Sequence, residues 1–166
     1  MQIQNFSPRF MVKQLESSDA AMVYMLYQGN PQYFDAMQDA PTLESAKADL
    51  TALPPKKTAE DKFYLGFFDE KMLIAVMDLI LAYPNDQTAF IGLFMVERAY
   101  QKQGIGSSII KEALLYLKTL GFSAVRLGYV EKNPQSKAFW EKNGFVLTGV
   151  KSKQEKYTIV LMQKEL

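Results

Sequence analysis

The pattern of hydrophobic and polar positions along the chain predicts eleven elements in a mixed β and α order. Seven segments are rich in apolar, β-branched and aromatic residues, as strands are, and four carry apolar residues at helical spacing. The predicted strands are 10–15, 63–68, 72–81, 89–96, 124–130, 145–150 and 157–162, and the predicted helices are 20–27, 41–53, 106–120 and 134–143. This order predicts an α/β fold with a mixed sheet.

The ends of the predicted helices follow from local signals. Gly29-Asn30-Pro31 is expected to end the first helix, which leaves Tyr33 and Phe34 in a loop. Gly121 is placed to end the helix over 106–120. That helix has the clearest apolar stripe of the chain, formed by Ile109, Ile110, Ala113, Leu114 and Leu117.

Only one polar break is long enough to separate two domains, and it covers residues 54–62. The segment before it carries too little apolar mass for a core of its own. Residues 1–166 are therefore predicted to form a single domain.

The composition excludes several kinds of chemistry. The chain has 166 residues with 19 Lys and Arg against 18 Asp and Glu, a net charge of +1, and neither His nor Cys. Thiol nucleophiles, disulfides, imidazole bases and His or Cys metal ligands are therefore excluded, and no metal site is expected. The near-neutral charge gives no general attraction to nucleic acid or anionic lipid.

Neither an export signal nor a membrane span is recognisable in the sequence. The first ten residues lack a basic stretch followed by an apolar one. The most apolar run, 72–83, is too short to cross a bilayer and contains Asp78. We therefore expect a cytoplasmic protein that binds neither membranes nor nucleic acid.

The most informative chemistry follows the strand predicted over 89–96. A polar loop leads to Gly104-Ile105-Gly106 and directly into a helix, so free backbone N–H groups surround one point that suits a phosphate or pyrophosphate. The glycines permit a close approach of the backbone. A Walker A pattern is absent, and Ile109 stands where a dinucleotide fingerprint requires a third glycine.

Two motifs resemble those of one family. Gln101-Lys102-Gln103-Gly104-Ile105-Gly106 resembles the Q/R-x-x-G-x-G/A pyrophosphate loop of the GNAT N-acetyltransferases. Residues 133–145 resemble that family's second motif, which begins with Asn and ends with Gly-Phe, and the element order is similar to the family fold over nearly the whole chain. The resemblance implies a mixed, mostly antiparallel sheet of six to seven strands, flanked by about four helices and splayed between its fourth and fifth strands.

The resemblance also implies acetyl-CoA as co-substrate. Its pyrophosphate would accept hydrogen bonds from the N–H groups of residues 103–107, and its pantetheine would bond the backbone around Met95 and Val96. A backbone N–H at the end of the run 94–96 would face the thioester oxygen. The cofactor-binding residues implied are Met95, Val96, Gln101, Lys102, Gln103, Gly104, Ile105, Gly106, Ser107, Asn133, Ser136, Lys137 and Trp140.

One position departs from the family pattern. Many GNAT members carry a Tyr in the second motif as the acid that protonates the leaving thiolate, whereas this chain has Trp140 there. An indole N–H donates a hydrogen bond but is not a usable acid. We expect Trp140 to orient the sulfur or to pack against pantetheine, a core aromatic being the alternative, and the thiolate to leave unprotonated or to take a proton from water.

The group that receives the amine proton is not fixed by the motifs. The strand over 89–96 has no ionisable side chain, so Asp78 is the leading candidate for a base or an ammonium-binding anion, with a structural carboxylate as the alternative. Glu97 and Glu131 lie at strand ends near the expected split and are otherwise solvated charges. Possible substitute acids are Tyr83, Tyr100 and Tyr129, and possible walls of the acceptor pocket are Tyr33 and Phe34.

Two classes of function follow. The first is an acetyl-CoA-dependent N-acetyltransferase that moves an acetyl group to a primary amine of a small molecule or a peptide. Transfer would be direct, because no Cys is present to carry the acyl group. The second is a non-catalytic module that binds or senses acyl-CoA. A homodimer is compatible with the sequence, although no residue requires one.

Overall fold

Seven strands and five helices make up the structure, a computed structural model that describes residues 1–166. Short 3-10 turns connect several of them. The elements are β1 (Met11–Gln14), α1 (Ala20–Gln28), α2 (Pro31–Ala36), α3 (Leu43–Asp49), β2 (Lys62–Asp69), β3 (Met72–Ile80), β4 (Thr88–Val96), α4 (Ile105–Thr119), β5 (Ala124–Val130), α5 (Pro134–Lys142), β6 (Val146–Lys153) and β7 (Thr158–Glu165).

All seven strands belong to one sheet in the order β1-β2-β3-β4-β5-β7-β6. Every neighbouring pair is antiparallel except β4 and β5, which run parallel. The expected mixed, mostly antiparallel sheet is therefore confirmed. Its single parallel pair is joined by the long helix α4, as parallel strands require a crossover connection.

The parallel strands β4 and β5 pair only at their beginnings. Their register runs from Thr88 opposite Ala124 to Ile91 opposite Leu127, and no pairing follows. The remainders of the two strands, residues 92–96 and 128–130, leave a gap that we call the slot. The divergence begins at a bulge, because the β3–β4 register shifts by one residue at Gly92. The expected splay between the fourth and fifth strands is confirmed.

Helices cover the two faces of the sheet unequally. The larger core cluster contains Ile109 and Leu117 of α4 together with Trp140 of α5, and this side is called the α4 face. The smaller cluster contains Val23 and Tyr27 of α1, and this side is called the α1 face. Helices α2 and α3 also lie on the α1 face. The three helices that precede the polar break at 54–62 therefore pack on strands that follow it.

The structure corrects one sequence-based assignment. Tyr33 and Phe34 lie on the short helix α2 rather than in a loop, which raises the number of helices to five. Pro31 ends α1 but also occupies the first turn of α2, where its missing N–H has no cost. Helix α3 begins as expected, with Thr42 accepting a hydrogen bond from the Ser45 N–H, but ends earlier.

None of the helices combines the length and the apolar character that crossing a bilayer would take. The longest, α4, has 15 residues, with a polar side toward solvent and an apolar side in the core.

Replacing Ile109 by Ala is expected to lower the free energy of unfolding by about 2–5 kcal/mol, because its side chain is fully buried and its removal leaves a cavity. Leu115, on the same helix, is 58% exposed, so Leu115→Ala should cost under about 0.5 kcal/mol. Urea unfolding of both variants measures the difference. Equal losses would show that α4 does not pack as described.

Candidate functional site

A row of unpaired backbone donors precedes α4. The Gln101 N–H donates to Arg98 and the Ser108 N–H donates to Gly104, but the six N–H groups of residues 102–107 have no acceptor in the protein. We call residues 102–107 the anion turn. Positive φ values at Lys102 (60°) and Gly104 (78°) gather these groups at the N-terminus of α4. Such a concave set of N–H groups together with a helix N-terminus binds anions.

The two glycines of the turn serve different purposes. A Cβ added at Gly104 would have no atom within 4 Å, so the glycine supports the positive φ and leaves open space for a ligand. A Cβ at Gly106 would lie 3.2 Å from the Val96 side chain and 3.3 Å from the Phe139 ring. Gly106 therefore allows α4 to approach β4 and α5 closely.

The side chain of Gln101 anchors the turn to the end of β4. Its amide Nε2 donates to the Val96 carbonyl at 2.8 Å and to the Asn30 side-chain oxygen at 2.6 Å. Asn30 donates to the same carbonyl at 3.2 Å. Gln103 likewise donates to the Ala99 carbonyl at 2.6 Å. These two glutamine side chains shape the turn, and the groups left for a ligand are those of the backbone.

The backbone of β4 presents only alternate residues to the slot. The Glu97 N–H donates to the Ile74 carbonyl of β3 at 2.8 Å, and antiparallel pairing alternates from there along the strand. Met95 therefore bonds β3, whereas the backbone groups of Phe94 and Val96 face the slot. Pantetheine contacts around Met95 and Val96 stay a prediction, for which Phe94 and Val96 have the backbone groups that face the slot. Because the Val96 carbonyl is already taken, the free groups are the Phe94 N–H and C=O and the Val96 N–H.

The second motif forms α5 on the other side of the slot. Asn133 caps this helix, its side-chain oxygen accepting from the Ser136 N–H at 3.0 Å, while its NH₂ group has no partner in the protein. Lys137 is exposed and pairs with Glu141 at 3.3 Å. Asn143, at the end of α5, donates to the Ser107 hydroxyl of the anion turn at 3.2 Å and ties the two motifs together.

Trp140 belongs to an aromatic cluster on the α4 face. Its ring lies 5.0 Å from that of Phe139, 5.2 Å from that of Phe145 and 6.0 Å from that of Phe94, and the residue is 5% exposed. Its indole N–H donates to no protein atom, yet no buried nitrogen lacks a partner, so this N–H reaches the surface of the cluster. Trp140 thus packs against the strand that borders the slot.

Asp78 lies on the opposite, α1 face. It pairs with Tyr64 across β2 and β3 and with Leu93 across β3 and β4, both of which contribute to the α1-face core. Its Oδ1 accepts a hydrogen bond from the Lys62 ammonium at 2.7 Å, and its Oδ2 has no partner in the protein. Burial raises the pKa of Asp78, an effect that the Lys62 charge opposes and the Asp49 charge reinforces.

The sequence pattern placed Lys62 in the polar break and did not predict its ion pair with Asp78. The side chain is 4% exposed, and its ammonium also lies 5.7 Å over the Tyr64 ring. Beside it, the Tyr27 phenol donates to the Asp49 carboxylate at 2.9 Å and lies 2.7 Å from the Tyr64 phenol oxygen. Burial raises the pKa of Asp49 and of both tyrosines. The α1 face thus holds a connected polar cluster under α1 and α3.

Tyr33 of α2 borders the same cluster. Burial raises the pKa of its phenol, with smaller contributions in the same direction from the charges of Asp49, Tyr157 and Asp78. No protein atom accepts from or donates to the hydroxyls of Tyr33 and Tyr157. A groove of about 530 Å³ opens nearby between α2 and the start of α5, and its lining consists of Gln32, Asp35, Ala36, Gln38, Lys132, Asn133, Pro134 and Gln135.

The remaining candidates have structural partners. Glu97 accepts from the Ala99 N–H at 2.5 Å, and Glu131 pairs with Lys151. The Tyr100 phenol donates to Asp69 at 3.3 Å. Two other tyrosines pack instead, Tyr83 against the Phe90 ring at 5.5 Å and Tyr129 within the α4-face core.

The slot therefore joins two chemically distinct faces, with an anion turn on one and a buried carboxylate on the other. A family model described as the acetyltransferase (GNAT) family matches residues 23–145, most of the chain. The chain belongs to the GNAT acetyltransferase family. The resemblance drawn from the two motifs is confirmed, and so is the enzyme class, an acyl-CoA N-acetyltransferase. No curated protein sequence matches the chain.

Solved structures share the GNAT fold at low sequence identity. An acetyltransferase from Thermus thermophilus is 20% identical over 100% of both chains, with a TM-score of 0.78. The PaiA N-acetyltransferase of Thermoplasma acidophilum, solved in complex with coenzyme A, is 18% identical over 95% of this chain and 99% of its own, with a TM-score of 0.67. A Salmonella typhimurium acetyltransferase that modifies the N-terminal serine of ribosomal protein L7/L12 is 15% identical over 97% of both chains, with a TM-score of 0.72.

Replacing Gly104 by Val is expected to weaken acetyl-CoA binding by roughly tenfold or more, equivalent to at least about 1.4 kcal/mol. The new side chain would strain the positive φ and fill the open space of the turn. Isothermal titration calorimetry gives the affinity.

The control for this variant is Gly121→Val at the other end of α4. Gly121 has a φ of 95° and equally open surroundings, so its replacement causes the same kind of backbone strain away from the turn. Unchanged affinity in the Gly104 variant, or an equal loss in both, would refute the assignment of residues 102–107 as the binding turn.

Proposed function

We propose that the protein transfers an acetyl group from acetyl-CoA directly to a primary amine of a small molecule or a peptide. The observation that supports this proposal is the slot between β4 and β5, with the free N–H groups of residues 102–107 on one side of the sheet and the free Oδ2 of Asp78 on the other. A thioester that enters from the α4 face would there meet an amine that enters from the α1 face.

The residues of the α4 face fit the co-substrate. Six donors without acceptors and the open space at Gly104 suit the two phosphates of a pyrophosphate. The backbone groups of Phe94, the Val96 N–H and the Asn133 NH₂ group suit the amides of pantetheine. Ser136, Lys137 and the anion-turn residues complete the proposed binding set. When bound, acetyl-CoA supplies an activated acetyl thioester, and the slot-facing N–H groups are placed to stabilise charge on its carbonyl oxygen.

The residues of the α1 face fit the amine. An acceptor arrives mainly as an ammonium ion, and Oδ2 of Asp78 can bind it and take one of its protons before the nitrogen attacks the acetyl carbon. The bond from acetyl carbon to sulfur then breaks as the bond to nitrogen forms, and the nitrogen gives its second proton to water, which leaves the neutral amide. The hydroxyls of Tyr33 and Tyr157 are free to hold the rest of the acceptor. Side-chain amides in the neighbouring groove suit an acceptor rich in hydrogen-bonding groups, such as a peptide.

The leaving thiolate needs no acid from the protein. A free thiol has a pKa of about 8.5, so a thiolate leaves readily near neutral pH and takes its proton from water. Trp140 has an unpartnered indole N–H beside the slot and is proposed to orient the sulfur by a hydrogen bond. A cytoplasmic location, a homodimer and the absence of a metal remain predictions of the sequence.

Release of free CoA thiol tests the proposed function. The protein is incubated with acetyl-CoA and a panel of primary amines that includes alkyl diamines, amino acids and short peptides with free N-termini. We expect at least one of these amines to raise thiol release and to form its N-acetyl product in equal amount, as mass spectrometry shows. Tight acetyl-CoA binding without release for any amine would favour the non-catalytic acyl-CoA sensing module.

Asp78→Asn is expected to lower kcat by about two orders of magnitude and to leave the acetyl-CoA affinity within about twofold, because the amide cannot accept the proton. Asp86→Asn, an exposed residue between β3 and β4, is the control. In the unmodified protein kcat/KM should rise with pH, because the carboxylate must be deprotonated to act, with an apparent pKa above the usual value of about 3.9. Unchanged turnover of the Asp78→Asn variant between about pH 6 and 9 would show that Asp78 is not the base.

A further inference from the structure

Lys62 is a charged residue in a position that needs an explanation. It begins β2, its side chain is 4% exposed, and its only hydrogen bond goes to Oδ1 of Asp78 at 2.7 Å. Taking an ammonium ion out of water is costly even when it is paired, and a buried ion pair is weak evidence of a stabilising role. The pair therefore calls for a reason other than stability.

Gly92 shapes the other side of the same carboxylate. It is the extra residue of the β4 bulge, at the point where β4 leaves β5. A Cβ added at Gly92 would lie 2.7 Å from Oδ2 of Asp78 and 3.3 Å from its Cγ. Any side chain at position 92 would thus displace the carboxylate. Bulges commonly redirect side chains beside active sites, and here the bulge leaves space for one.

We propose that Lys62 and Gly92 are positioning residues that fix the Asp78 carboxylate at the entrance of the slot. Lys62 holds Oδ1 through its hydrogen bond, and Gly92 leaves the space that Oδ2 occupies. Oδ2 is then the one carboxylate oxygen presented to an incoming amine. This inference rests on the proposed function, in which Asp78 meets the acceptor.

The groups around Asp78 make Lys62 its only cationic neighbour. Asp49 from α3 adds negative charge, and the phenols of Tyr33 on α2 and Tyr64 on β2 lie close enough to interact electrostatically with Asp78. Tyr27 of α1 is hydrogen-bonded to Asp49 and to Tyr64, and β4 contributes only the uncharged Gly92 and Leu93. Burial raises the pKa of Tyr27, Tyr33 and Tyr64, so those phenols stay neutral at physiological pH. Keeping Asp78 ionised inside this cluster thus depends on the Lys62 ammonium.

Lys62→Met, which removes the charge and leaves an unbranched side chain one atom shorter, tests the first half of the proposal. Loss of the ammonium should move the acidic limb of the pH profile of kcat/KM to higher pH by about one unit or more. The acetyl-CoA affinity should stay within about twofold, because the anion turn lies on the other face. Lys62→Arg should return the limb toward its original position. Lys57→Met removes a lysine paired with Asp61 outside the site and is the control.

Gly92→Ala tests the second half. The added methyl group should displace Oδ2 and lower kcat about tenfold or more, with acetyl-CoA affinity within about twofold. Gly66→Ala is the matched control, because its Cβ would lie 2.9 Å from the Leu15 side chain on the same face without touching a carboxylate. Equal kcat losses in both glycine variants would overturn the role of Gly92.

A measurement without substrate separates this inference from the proposed function. The titration of the Asp78 carboxyl carbon is followed by NMR in the unmodified protein and in Lys62→Met, with Asp78→Asn to assign the signal. An upward shift of the midpoint in Lys62→Met supports the coupling. Reduced stability with an unmoved midpoint and an unmoved kinetic limb would overturn it. Failure of the unmodified protein to acetylate any amine, whatever the titration shows, would instead refute the proposed function.

Discussion

The site depends on one constraint, which is that β4 and β5 stop pairing after Ile91 and Leu127. A strand that loses its neighbour exposes N–H and C=O groups, and such groups need partners. The protein satisfies one of them itself, since Gln101 and Asn30 both donate to the Val96 carbonyl. The donors that remain along the slot and in the anion turn are left for a ligand. The proposed binding site is thus made largely of unpaired backbone groups, a few from the slot and most from the turn before α4.

The same divergence divides the chemistry between two faces of the sheet. The anion turn and Trp140 lie on the α4 face, whereas Asp78 and the tyrosines lie on the α1 face. A phosphate-binding turn and a buried carboxylate would repel one another's ligands if they shared a pocket. Separation by the sheet lets each face keep its own electrostatic character, and under the proposed function the two substrates would meet at the slot.

Local features of the chain were predictable from sequence, whereas contacts across the sheet were not. Helix α4, the order of the elements along the chain and the glycines at 104 and 106 depend on nearby residues, and periodicity and turn chemistry describe those well. The partner of Asp78 depends instead on the register of β2 against β3. Counting back from the turn at Asp69 pairs residues 62–64 with 77–79, whereas a bulge at Phe67 and Phe68 shifts the observed pairing to 78–80, and this bulge has no signal in the sequence pattern. Helix α2 was missed because Pro31 both ends one helix and begins another.

An ion-paired carboxylate is a weaker base than an isolated buried one, and this bears on what the acceptor must be. Burial raises the pKa of Asp78 and the Lys62 charge opposes that rise, so Lys62 favours the ionised carboxylate. A charged Oδ2 binds an ammonium ion more strongly than a neutral amine. Asp49 adds a second negative charge that no nearby ammonium other than Lys62 offsets. Under the proposed function, the α1 face would favour acceptors that arrive as cations, which is how most primary amines exist near neutral pH.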